Sequence, residues 1–139
     1  MENYFAPKLS SEELLSMRNL GLAYVGDAVF EMMVRVWLSS LGNTDAGKMH
    51  KAAVSYVSAP AQAKFAAILA EHMTDEESAV YKRGRNAHVG GVPQNSTVGE
   101  YHAATGMETL FGYLYLSGKT ERLNELFNVI MEEGAKDGT

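Results

Sequence analysis

The chain has 139 residues, 46% of them hydrophobic, a formal net charge of −5 and no cysteine. That length suits one compact domain spanning 1–139, with a core of about 11–130, able to bury a real interior without staples. Disulfides, thiolate metal sites and cysteine nucleophiles are excluded, and the acidic total counts against a nucleic-acid binder that works by bulk attraction. Any such binder needs a local basic patch. The absence of cysteine fits a reducing, cytoplasmic setting. The first residues, Met1 to Phe5, lack a basic region ahead of an apolar run, so no signal peptide is expected.

The helical period dominates in chain order. Ser10 and Glu13 have capping-box spacing ahead of Leu14, Leu15 and Met17. A long apolar helix is expected over about 20–41. Leu22, Val25, Val29, Met32 and Val36 form one stripe, and Phe30, Met33, Trp37 and Leu41 cover much of the remaining circumference. A helix apolar nearly all round is expected at the centre of the fold. Gly42 and Asn43 end it. A second helix is expected from Asp45 to Val57, and a third capped by Ser58 with Pro60 in its first turn. Phe65, Ile68, Leu69 and His72 share a face of the third.

Thr74 and Glu77 open a short helix through Val80 and Tyr81. His88 to Gly99 reads as loop, because Gly90, Gly91, Pro93, Asn95, Ser96 and Gly99 are all breakers. Helix is expected again near Glu100, with Met107, Leu110, Phe111, Leu114 and Tyr115 on its buried side and Gly118 at its end. Thr120 is expected to cap the last helix, and the tail after Gly134 to fray. No alternating strand is found, so the fold class is all-α.

Three features could carry chemistry. Asp27, Glu31 and Arg35 share a narrow polar strip at successive i, i+4 positions, which a solvated face with a Glu31–Arg35 pair also explains. Glu108 lies at the border of an apolar face, with Thr105 and Gly112 expected to leave room beside it. A carboxylate there needs a partner or a cation, and an arginine at the rim would serve. Lys82-Arg83-Gly84-Arg85-Asn86 is the densest cationic run, followed by the loop that carries His88. It suits phosphate and ribose contacts, and equally a basic helix end that complements the dipole. His50 and His72 show no metal-ligand spacing from each other, His102 near Glu108 has no adjacent His-Asp pair, and no nucleotide loop or nucleophile setting is present.

Leu22-Ala23-Tyr24-Val25-Gly26-Asp27-Ala28-Val29 resembles the signature helix of ribonuclease III domains. The stretch from Ala104 to Leu116 resembles that family's second catalytic helix. Arg83-Gly84-Arg85-Asn86-Ala87 is similar to a run typical of its Mini-ribonuclease III subgroup, which lacks an appended double-stranded-RNA-binding domain. The resemblance spans about Ser11 to Ile130.

It implies an all-α ribonuclease III domain that dimerises through the signature-helix region and cuts double-stranded RNA with Mg2+. Asp27 and Glu108 would be the catalytic, metal-binding acids. Lys82, Arg83, Arg85, Asn86 and His88 would bind RNA, with Lys48 and Lys51 as further candidates. Ala23 stands where full-length relatives carry a glutamate, and Thr105 where they carry an aspartate. This thinner acid set, shared with the subgroup, leaves the number of metal ions open. Glu31 is a further candidate for the ion's water shell. The subgroup implies maturation of large-subunit ribosomal RNA precursor, and a ribosomal-protein helper is compatible with it. Two competing readings are a non-catalytic domain that binds structured RNA or a ribosomal particle, and a helical adaptor that binds no nucleic acid.

Overall fold

Helix starts are written in side chains that accept from the first unpaired backbone N–H groups. In the computed structural model, which describes residues 1–42, 45–87 and 95–137, Ser10 and Glu13 form a reciprocal capping box that opens α1 (Ser11–Ser16). The long helix α2 follows (Asn19–Ser40). Asp45 caps α3 (Ala46–Val57), and Ser58 caps α4 (Ala59–Leu69), which takes its proline in the first turn. Thr74 and Glu77 box the start of α5 (Asp75–Arg85), and Thr97 and Glu100 do the same for α6 (Val98–Leu116). The last helix is α7 (Thr120–Asp137). All regular structure among the described residues is helical, as expected.

Several boundaries differ from expectation, each for a local reason. Helix α5 runs to Arg85 rather than ending near Tyr81, because Lys82, Arg83 and Arg85 are good helix formers that complement the dipole in its last turn. Helix α6 starts at Val98, so Gly99 sits in its first turn; the Thr97–Glu100 box outweighs the glycine. Thr120 lies inside α7, and the Lys119 carbonyl accepts from Leu123 N at 3.1 Å. Helix α7 continues past Gly134, which packs against the Phe65 ring; a Cβ there would lie 3.1 Å from Phe65 Cε1.

The centre of the fold is α6, not α2. Helix α6 packs against α2, α4, α5 and α7, and buries Met107, Leu110, Phe111 and Leu114 completely. Helix α2 buries the line Leu22, Ala23, Gly26, Phe30, Val34 and Leu38. Of the expected stripe of Leu22, Val25, Val29, Met32 and Val36, Leu22 is buried and Val29 packs against the core, but Met32 and Val36 are 52% and 58% exposed, and Tyr24 82%. Small residues at Ala23 and Gly26 let α2 approach α6, and Met32 and Val36 are left outward. Phe30 is the aromatic hub, edge-on to Phe111, Phe127 and Phe65 at centroid distances of 5.4, 5.9 and 6.4 Å.

One buried charge braces the frame. Glu77 accepts from Arg122 Nε at 2.8 Å and Nη2 at 2.9 Å, and Arg122 also donates to the His72 carbonyl at 2.7 Å. This joins the start of α5 to α7 and to the turn that follows α4. The hydrogen bonds from Arg122 hold the Glu77 carboxyl below the usual range against the opposing effect of burial.

Candidate active site

Two glycines decide the geometry. A Cβ on Gly26 of α2 would lie 1.6 Å from the carbonyl oxygen of Glu108, and a Cβ on Gly112 of α6 would lie 1.9 Å from that of Leu22. The two helix backbones therefore touch where they cross, an approach only glycine permits. The residue after Gly26 is Asp27, and Glu108 is one turn before Gly112. The crossing thus sets the two acids side by side.

Asp27 is exposed and Glu108 half-buried. Burial pushes the Glu108 carboxyl up to about 8, and the charge of Asp27 and a hydrogen bond shared with it push the same way. An N–H from Gln62 opposes them: Gln62 Nε2 donates to Glu108 Oε2 at 3.1 Å and to the Val57 carbonyl at 2.9 Å. Two acids in this setting hold one proton or one cation between them. The donors are hard oxygens, which fit magnesium; that ion needs only one or two carboxylates and keeps several waters.

Among the described residues no third His, Cys, Asp or Glu joins them in a metal-holding cluster. Ala23 and Thr105 occupy the neighbouring turns, both buried, and the Thr105 hydroxyl donates to the Tyr101 carbonyl of its own helix at 3.0 Å. The room expected beside Glu108 is therefore closed on the Gly112 side. Thr105 folds back on its helix, and α2 fills the space at Gly112. The Glu108 carboxylate is met by glutamine rather than by the expected arginine. Glu31 is engaged elsewhere, accepting from Arg35 Nη2 at 2.8 Å.

Sequence reasoning missed Gln62. Its signal was available: the buried face of α4 is Gln62, Phe65, Ala66 and Leu69, at i, i+3, i+4 and i+7, with one polar member. The expected face of Phe65, Ile68, Leu69 and His72 is displaced from it, and His72 instead pairs with Glu133 at 2.9 Å.

The basic run lies in the last turn and C-cap of α5, with Lys82, Arg83, Arg85 and Asn86 all exposed. Its glycine is structural. A Cβ on Gly84 would meet Thr109 Oγ1 at 2.2 Å, and one on Gly106 would meet the Tyr81 carbonyl at 2.8 Å. These close approaches press the basic turn against α6, one residue from Glu108. The Arg85 guanidinium lies over the Tyr81 ring, 5.8 Å from its centroid. Lys48 and Lys51 are exposed on α3. His88 lies outside the described residues.

Residues 20–119 match the Ribonuclease III domain family. The chain belongs to the ribonuclease III family. It is 47% identical over 114 residues to the Mini-ribonuclease 3 of Enterococcus faecalis, covering 81% of this chain and 86% of that protein. It is 37% identical over 133 residues to that of Clostridium tetani, covering 94% and 88%. A crystal structure of a Fusobacterium nucleatum protein has the same fold, with a TM-score of 0.78 at 26% identity over 86% of this chain and 95% of that one. The expectations of an all-α ribonuclease III domain of the Mini type, and of an endoribonuclease, are borne out. Among the described residues no helix is long and apolar enough to cross a membrane.

Proposed function

We propose that this ribonuclease III family member is a magnesium-dependent endoribonuclease that cuts double-stranded RNA as a cytoplasmic homodimer. The observation that carries this is the Asp27–Glu108 pair, fixed side by side at the Gly26–Gly112 crossing. A domain that only bound RNA would have no use for two acids beside a phosphate, where each repels it. The two carboxylates would hold the cation and present it to a scissile phosphate. Bound there, magnesium would supply an activated water and positive charge for in-line attack. The glycine crossing holds the two helices that carry the acids in backbone contact.

RNA would be held by shape. A-form duplexes offer a wide minor groove with 2′-hydroxyls, and phosphates along both rims. Lys82, Arg83, Arg85 and Asn86 supply donors at the exposed end of α5, close to α6. His88 is a further RNA-binding candidate carried by the sequence alone. An acidic chain with so short a basic run should bind weakly and with steep salt dependence.

The dimer rests on the outer face of α2. A groove of about 650 Å3 runs beside it, lined by Tyr24, Val25, Val29, Met32, Met33 and Leu123, with Asp27 on its rim. So much exposed apolar surface on one helix is what a second copy would cover. Precursor large-subunit ribosomal RNA is the substrate we infer, from the subgroup resemblance.

The deciding experiment is magnesium-dependent cleavage of a long double-stranded RNA by the native protein, Asp27→Asn and Glu108→Gln at low salt. Cleavage by the native protein alone, with both variants folded, supports the reading. A native protein that binds this RNA but never cuts it would leave the binding-domain reading standing instead.

A further inference from the structure

We propose that Gln62 is a positioning residue of the active site, holding Glu108 in the orientation that receives the divalent cation. The inference rests on the metal-nuclease reading and adds a residue to it.

Gln62 is 1% exposed, a neutral amide set in the apolar face of α4. Its orientation is decided by chemistry. The Val57 carbonyl can only accept, so the amide nitrogen must face it. The second hydrogen of that nitrogen then goes to Glu108 Oε2. The reverse orientation would set the amide oxygen against a carbonyl and a carboxylate. Both donors are thus spent on two fixed acceptors, one at the end of α3 and one in the middle of α6. The Glu108 side chain is tied to the α3–α4 junction as well as to its own helix.

The arrangement has a cost that packing does not explain. Gln62 Oε1 is buried and has no hydrogen-bond partner among the described residues. Leaving such an atom unpaired is unfavourable, and a methionine or leucine would fill the same space without it. What glutamine adds over those residues is the N–H directed at Glu108. By engaging Oε2, it sets the plane of the carboxylate and orients its other oxygen. It also favours the charged form that a cation requires, against burial and the neighbouring Asp27. Residues that hold a metal ligand in this way govern affinity for the ion, with typical losses of about 10- to 100-fold on removal.

The test is Gln62→Met, which keeps the volume and removes both donors. Manganese binding is measured by calorimetry without RNA, and the magnesium concentration for half-maximal cleavage with it. The expected result is at least a tenfold weakening of both, with affinity for the RNA in calcium unchanged. Should the variant lose only thermal stability while its metal dependence stays native, Gln62 is a packing residue and the proposal fails, though the nuclease reading stands. Should the native protein neither bind manganese nor cut RNA, both fall together. If Gln62→Met does not fold, the native protein decides: magnesium titration of the 15N-labelled chain should shift the Gln62 side-chain amide signals, and unmoved signals overturn the proposal.

Discussion

Gly26→Ala tests the crossing on which the site depends. The added Cβ would lie 1.6 Å from the Glu108 carbonyl oxygen, 2.6 Å from its carbonyl carbon and 2.6 Å from Gly112 N. All three are backbone atoms of α6, so no side chain can rotate away. To reach ordinary contact near 3.4 Å, α2 and α6 must part by nearly 2 Å at this point. Overpacking a core by one carbon costs about 1–3 kcal/mol, and two rigid backbones put this case at the top of that range or above. Alanine returns about 1 kcal/mol of helix propensity. The net loss should be about 2–3 kcal/mol, a fall in Tm of roughly 6–12 °C for a domain of this size. The effect on chemistry should be larger. Asp27 adjoins the displaced residue and Glu108 is the residue struck, and a misplacement of about 1 Å can cost about 100-fold in rate. Thermal melting and single-turnover cleavage at saturating magnesium measure the two effects. Gly99→Ala is the control, since a Cβ there meets nothing within 4 Å; it should melt at or slightly above the native temperature and cut normally. A Gly26→Ala protein that melts within a degree of native and cuts at the native rate would refute the backbone-contact argument.

Without metal, Glu108 should make stability fall with pH. Its folded-state value of about 8 lies above the ordinary 4.5, so the folded chain holds the extra proton between them. The contribution is fully present below about pH 4.5 and lost as pH rises through 8. Glu108→Gln should therefore exceed native stability by several kcal/mol at pH 8, with little difference near pH 4.5, and magnesium should narrow the gap; denaturant melts with chelator check this. Arg83→Ala and Arg85→Ala should each weaken duplex RNA binding several-fold and lower the salt slope by about 1, with single-turnover cleavage at saturating protein little changed. Met32→Glu, at a 52% exposed site beside the apolar groove, should leave the fold intact and shift a dimer to monomer in sedimentation.

Much was legible in the sequence because it depends on neighbours along the chain. The boxes at Ser10–Glu13 and Thr74–Glu77, the Ser58 cap and the stop at Gly118 are interactions within three or four residues, and the structure keeps them. Asp27 and Glu108 were legible through the motifs around them. The Thr97–Glu100 box follows the same local rule but was hidden among breakers, where one glycine was weighed above a pair of hydrogen bonds.

The sequence by itself determined an all-helical chain of the ribonuclease III type, with an unusual acid on each of two helices and one basic run. Only the tertiary structure decided which helix is central. Helix α2 reads as apolar nearly all round and α6 as apolar on one side, yet it is α6 that is enclosed, which periodicity cannot say. The small residues Ala23, Gly26 and Gly112 decide it by how closely backbones can approach, which leaves Met32 and Val36 outside. The same contact brings Asp27 to Glu108 across 81 positions of sequence. The packing of α4 on α6 gives Gln62 its partner, because a buried glutamine acquires a role only from the residue packed against it. Periodicity carries burial; chemistry between distant residues is a property of the packing.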